Sequence, residues 1–157
     1  YISEAGERGP FINSDAQASL LGLNSNHRFP EIVRCFIEGL CFAAKECYLA
    51  MGEMPKEIRL AGGGSQSDSI RKIFSNILQT NVRTSNRKEA GAAGAAMIGA
   101  MSLGIYNEWP KCMDEWVSPF LGEVEHFDKN YSHTYEKLFS TYLDSRLTVM
   151  PIWKKLN

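Results

Sequence analysis

Three consecutive glycines, Gly62-Gly63-Gly64, stand between a short apolar segment and a strongly amphipathic one, and they constrain this chain more than any other feature. Upstream, Glu57-Ile58-Arg59-Leu60-Ala61 has the length and character of a strand. Downstream, Ile70, Ile73, Phe74, Ile77 and Leu78 fall at i, i+3, i+4, i+7 and i+8, the helical template without a miss. Glycines in a row are expensive in conformational entropy. A chain that keeps them needs either positive φ angles or a bare backbone that a ligand can touch. The free N–H groups and dipole at the start of the next helix then favour a polar or anionic ligand such as a nucleotide.

The finer pattern separates kinds of nucleotide turn. A phosphate loop of the Walker type requires Lys followed by Ser or Thr at its end, where this chain has Ser67 and Asp68. A dinucleotide fingerprint counted from Gly62 and Gly64 places a third glycine where Ser67 stands. The dinucleotide reading stays open nonetheless, because Val82-Arg83 lies close to the spacing of a ribose-contacting residue.

Around the turn, Pro30 and Glu31 suit the first turn of a helix, and Val33, Phe36, Ile37, Leu40, Ala44, Cys47, Tyr48 and Met51 continue it at helical spacing to Gly52. One long buried helix is expected there. Residues 1–29, rich in Gly, Ser, Asn and Pro, read as ordered loop. A second extended piece is expected at Asn81-Val82-Arg83-Thr84. A helix over 89–103 follows, in which Gly91, Ala92, Ala93, Gly94, Ala95, Ala96, Gly99 and Ala100 leave so little bulk that tight helix packing in the core is the expectation. Gly104 is its natural stop. Residues 105–127 give no pattern beyond loop and short helix. A last helix over 128–147 carries Tyr131, Tyr135, Leu138, Phe139, Tyr142 and Leu143 as a core-facing stripe.

Cys35, Cys41 and Cys47 recur every sixth residue, which turns successive thiols onto different helix faces, and His27, His126 and His133 stand at no metal-ligand spacing to them. Reduced, packed thiols and no metal site are expected. The formal net charge of -1 leaves no basic excess for a nucleic-acid partner. No apolar run approaches the roughly 20 residues of a membrane span, so no membrane partner and a cytoplasmic location are expected.

Four ordered motifs carry a resemblance to the FGGY family of carbohydrate kinases, which includes glycerol, xylulose, gluconate and erythritol kinases. Gly6-Glu7-Arg8-Gly9-Pro10-Phe11 is similar to the family's GERxP loop, and Gly22-Leu23 with Glu31-Ile32 and Ile37-Glu38 to its second signature. Cys35 and Phe36 depart from the small and aliphatic residues usual there. Ala61 through Ser67 resembles the adenosine turn, and Glu89 followed by Gly91-Ala92-Ala93-Gly94-Ala95-Ala96 resembles the Glu-x-x-x-x-Gly-Ala-Ala helix.

The resemblance implies a helix-rich α/β fold, part of the second domain of an actin-like, ribonuclease-H-like ATPase. Residues 1–157 would be the C-terminal kinase domain, incomplete on its N-terminal side. ATP and Mg²⁺ would serve transfer of the γ-phosphoryl group to a sugar or polyol hydroxyl. Gly62, Gly63, Gly64, Ser65 and Ser67 would hold the adenosine, Ser67 standing where glycerol kinases have Asn. The catalytic Asp belongs to a segment before the GERxP loop, so none of Asp15, Asp68, Asp114, Asp128 or Asp144 takes that role. Glu7 and Arg8 favour the xylulose, gluconate or erythritol branch and read equally as a substrate contact or a loop staple.

The chain opens inside a loop-like run at Tyr1, and an N-terminal domain of the same protein is the expected partner. Without it, the 57–61 strand would lack sheet neighbours, and its open edge would invite self-association, a homodimer included. The other readings are a non-catalytic ATP-binding module of the same superfamily and a dinucleotide-dependent oxidoreductase.

Overall fold

The structure, a computed structural model, describes residues 6–156. Helix α1 runs from Phe29 to Ala50. Its start is fixed as the sequence suggests: Pro30 occupies the first turn, and the Arg28 N–H donates to the Glu31 carboxylate at 2.9 Å. Gly52, at φ 108°, turns the chain away after it.

Strand β1 (Glu57–Leu60) leads through a 3₁₀ turn (Gly63–Gln66) into α2 (Asp68–Leu78), which ends on Gln79 in the left-handed region, φ 54°. Strand β2 (Asn81–Ser85) follows and pairs with β1 in parallel, with Ile58 opposite Val82. Helix α2 is thus the crossover of a βαβ unit. Helix α3 (Ala90–Ser102) stops before Gly104, at φ 72°. Helix α4 (Trp109–Trp116), strand β3 (Leu121–Glu125) and helix α5 (Ser132–Leu156) complete the order. Strand β3 pairs antiparallel with β2, so the sheet reads β1-β2-β3.

The core lies between α1, α2, α5 and the sheet. Ile77 and Leu78 of α2 are fully buried against Cys41 and Phe42 of α1, Ile58 of β1, and Tyr135, Phe139 and Tyr142 of α5. The aromatic rings pack edge-on and tilted, with Phe42 5.9 Å from Phe139 and 5.4 Å from Tyr142 between centroids. Two buried cations are paired: Lys45 reaches Glu136 at 2.7 Å across α1 and α5, and Arg146 pairs with Glu46 while lying over the Phe11 ring.

Four expectations change. Helix α1 is buried along one side only, because its apolar residues form two faces: Cys41 and Phe42 meet α2 and α5, while Val33, Phe36 and Leu40 stand exposed. Helix α5 continues nine residues beyond Leu147, through Pro151, because Val149 and Trp153 extend the buried stripe. Strand β1 does have a sheet neighbour, β2, and only its other edge is unpaired among the described residues. The small-residue surface of α3 is not in tight packing: no other described segment comes within 4 Å of where a Cβ on Gly91, Gly94 or Gly99 would stand, and Met97 is the buried residue of that helix.

Candidate functional site

Two parallel strands deliver two loops to one place. Past the end of β1, Gly62 takes φ 94° and ψ 179°, backbone that essentially only glycine adopts. Ser65 then locks the turn: it is buried, its hydroxyl donates to the Gly62 carbonyl at 2.7 Å, and its own N–H reaches the same oxygen at 3.2 Å. From α2, Arg71 donates to the Ser65 carbonyl at 2.8 Å while pairing with Asp68. Gly63 and Gly64 differ from Gly62. Neither has a positive φ, and among the described residues none beyond the chain neighbours comes within 4 Å of a Cβ built on either. The fold by itself requires glycine only at the first of the three.

Past the end of β2 come Asn86, Arg87 and Lys88. The Asn86 N–H donates to the Phe120 carbonyl at 2.7 Å, tying this loop to the start of β3. The Arg87 guanidinium lies over the Phe120 ring, 3.8 Å from its centroid, and its Nη2 donates to the Trp116 carbonyl at 2.7 Å. Between the two loops opens a cavity of about 520 Å³, lined by Gly62, Gly63, Gln66, Asn86, Arg87 and Lys88. It lies beyond the carboxyl ends of adjacent parallel strands, where open α/β sheets place their ligands. Its size is that of a small-molecule site.

The lining is bare backbone, two amides and two cations, with no carboxylate. Such a set suits an anionic or base-bearing ligand. It does not suit Mg²⁺, which takes oxygen ligands, carboxylates and phosphates above all. Among the described residues, no group of three or more His, Cys, Asp or Glu side chains is disposed to hold a metal ion.

Of the residues singled out in the sequence, Gly62 and Gly63 line the cavity. Gly64 sits within the 3₁₀ turn, Ser65 is its internal staple, and Ser67 caps α2, its hydroxyl accepting from the Ile70 N–H at 3.5 Å. Glu7 and Arg8 belong to a loop closed by backbone bonds between Glu7 and Asn13 at 2.7 and 2.9 Å, and neither lines the cavity. Arg83, the candidate ribose contact of the dinucleotide reading, donates instead to Glu57 at 3.1 Å across β1 and β2. Sequence reasoning missed Gln66, Asn86, Arg87 and Lys88. The signal was present in outline: parallel pairing of the two predicted strands would have brought their following loops together.

The thiols are free, with Cys41 and Cys112 buried and Cys35 exposed. Burial, with the Glu38 charge second, pushes the Cys41 thiol up to about 12. No helix of the described residues is long and apolar enough to cross a membrane.

The fold is a helix-rich α/β unit of the actin-like class. The family model "FGGY family of carbohydrate kinases, C-terminal domain" matches residues 1–103, and the chain belongs to that family. It is 51% identical over 156 residues to an erythritol kinase of Brucella abortus, covering 99% of this chain and 30% of the relative. It is also similar to a xylulose kinase of Bacillus subtilis, 26% identical over 143 residues, covering 87% of this chain and 28% of that one. Among solved structures, the ligand-bound xylulose kinase from Lactobacillus acidophilus superposes with a TM-score of 0.87 at 25% identity, over 98% of this chain and 31% of that one. The chain thus spans about a third of the length of the curated relatives it matches.

Proposed function

We propose that residues 1–157 serve as the C-terminal domain portion of an ATP-dependent polyol or sugar kinase and supply the adenosine side of its nucleotide cleft. The observation that carries this reading is the cavity between the 3₁₀ turn and the loop after β2, where Gly63 presents bare backbone that the fold itself does not require. A ligand that must lie against the main chain accounts for that glycine. In this reading Gly62 and Gly63 give the nucleotide room, Ser65 and Arg71 keep the turn rigid, and Ser67 holds the start of α2. Rigid positioning of this kind is most of what phosphoryl transfer asks of a protein.

The general base and the Mg²⁺ ligands are assigned elsewhere in the kinase. Here Asp68 pairs with Arg71, Asp114 accepts from Ser118 at 3.3 Å, and Asp128 caps a 3₁₀ turn through Asn130 at 2.9 Å. None lines the cavity. Identity of 51% to a protein named as an erythritol kinase makes a four-carbon polyol the first substrate to try. The test is a coupled ADP-release assay with erythritol, xylulose, gluconate and glycerol, run on an intact kinase that carries this segment and on residues 1–157 alone. Polyol-dependent release from the intact kinase, with none from the segment, is the expected result. Robust release from the segment alone would overturn the assignment of the base. ATP binding with no turnover on any alcohol in the intact protein would favour the non-catalytic module.

A further inference from the structure

The loop after β2 carries features that the glycine turn does not explain. Arg87 is held in place from two directions, by the Phe120 ring 3.8 Å from its guanidinium and by the Trp116 carbonyl at 2.7 Å. Neither Arg87 nor Lys88 forms an ion pair among the described residues. A guanidinium that rests over the Phe120 ring, with the Trp116 ring 5.9 Å away, and that is balanced by no carboxylate among the described residues, is a flat cation set at the rim of a cavity. Arg87 lines the cavity and Phe120 does not.

Resting on the nucleotide reading above, we propose that Arg87 is a base-stacking residue, its guanidinium sandwiched between Phe120 and the purine ring of the nucleotide. Gly62 and Gly63 form the opposite wall, bare so that the base fits between backbone and guanidinium. The amides of Gln66 and Asn86 stand at the same cavity, with donors and acceptors suited to a purine edge. The arrangement explains why Phe120, at 36% exposure, keeps its ring under a cation: it holds the plane. Arginine suits this role and lysine does not, because only the guanidinium is flat.

That difference supplies the test, made on an intact kinase carrying this segment. Arg87→Lys keeps the charge and loses the plane, so ATP affinity by calorimetry is expected to fall about tenfold, within the range of one base stack. The KM for the polyol and the melting temperature should stay near wild type. Phe120→Leu removes the backing ring from a partly exposed position and should weaken ATP binding severalfold with Arg87 unchanged. Wild-type ATP affinity in both variants would overturn the stack, as would a loss confined to melting temperature. Gly63→Asp separates this claim from the one beneath it. Loss of ATP binding in Gly63→Asp with none in Arg87→Lys would defeat the stack alone, whereas retention in Gly63→Asp would defeat the placement of the nucleotide itself.

Discussion

Helix α2 borders two regions that differ in what fills them. Along its inner face, Ile73, Ile77 and Leu78 are 8%, 0% and 2% exposed and meet Phe42, Tyr135 and Phe139. Ahead of its first residue, Gly62, Gly63 and Gly64 present no side chain at all, and among the described residues none beyond their chain neighbours comes within 4 Å of where a Cβ on them would stand. The difference teaches how to tell a packed face from a working one. Where the chain must hold itself together, side-chain volume is complementary and water is excluded. Where side-chain volume is withheld and the backbone is locked from behind, as Ser65 and Arg71 lock it, the space is kept for something else.

Substitutions that move one region and spare the other test the contrast. The largest effect is expected at Gly63→Asp, where a side chain takes the space kept for the adenosine and its carboxylate can pair with Arg87 or Lys88 across the cavity. ATP binding should fall by roughly a hundredfold, while the melting temperature stays near wild type, since a Cβ there meets no other described residue within 4 Å. Wild-type nucleotide affinity by calorimetry would place the ligand elsewhere. Ile77→Ala is the mirror image. Truncating a side chain with 0% exposure leaves a cavity in the core, and should cost about 2–5 kcal/mol of stability by denaturant unfolding.

A smaller effect divides the glycine turn itself. Gly62→Ala forces a side chain onto φ 94°, ψ 179°, a region worth about 1–3 kcal/mol of strain for any other residue. Gly63→Ala meets no such strain and no neighbour, so it should leave stability unchanged and affect only what binds. Equal destabilisation by the two variants would show that the second glycine is a backbone requirement, and the contrast between Gly62 and Gly63 would collapse.

What the sequence discloses follows how local each feature is. The β1–turn–α2 unit could be read directly, because the α2 period of five apolar residues and the entropy of three glycines are local facts. Strand β3 was not legible: Leu121-Gly122-Glu123-Val124-Glu125 has one β-branched residue and becomes a strand by pairing with β2. The last nine residues of α5 were hidden by Arg146, which breaks the apolar stripe until its pairing with Glu46 is seen, and by Pro151. In the candidate site the same division holds. Gly62 and Gly63 announced themselves, whereas Asn86, Arg87 and Lys88 join them only through the parallel pairing of strands some 24 residues apart, Glu57 opposite Asn81.

The smallest effect belongs to Ser67, and it sharpens the boundary between the two regions because this residue stands on it. The family resemblance puts Ser67 beside the adenine, while its hydroxyl accepts from the Ile70 N–H as the N-cap of α2. A single neutral hydrogen bond contributes about 1 kcal/mol, and at 3.5 Å this one belongs at the weak end. Ser67→Ala should therefore lower stability by about 0.5–1 kcal/mol, the low range for a lost N-cap. ATP affinity should change by about 1 kcal/mol or less. The two quantities are measured on the same variant, by denaturant unfolding and by calorimetry. A fall in stability with little change in ATP binding assigns Ser67 to the scaffold that holds the turn. A hundredfold loss of ATP affinity with stability intact would assign it to the cleft, and the line between packed and working regions would then run one residue further into α2.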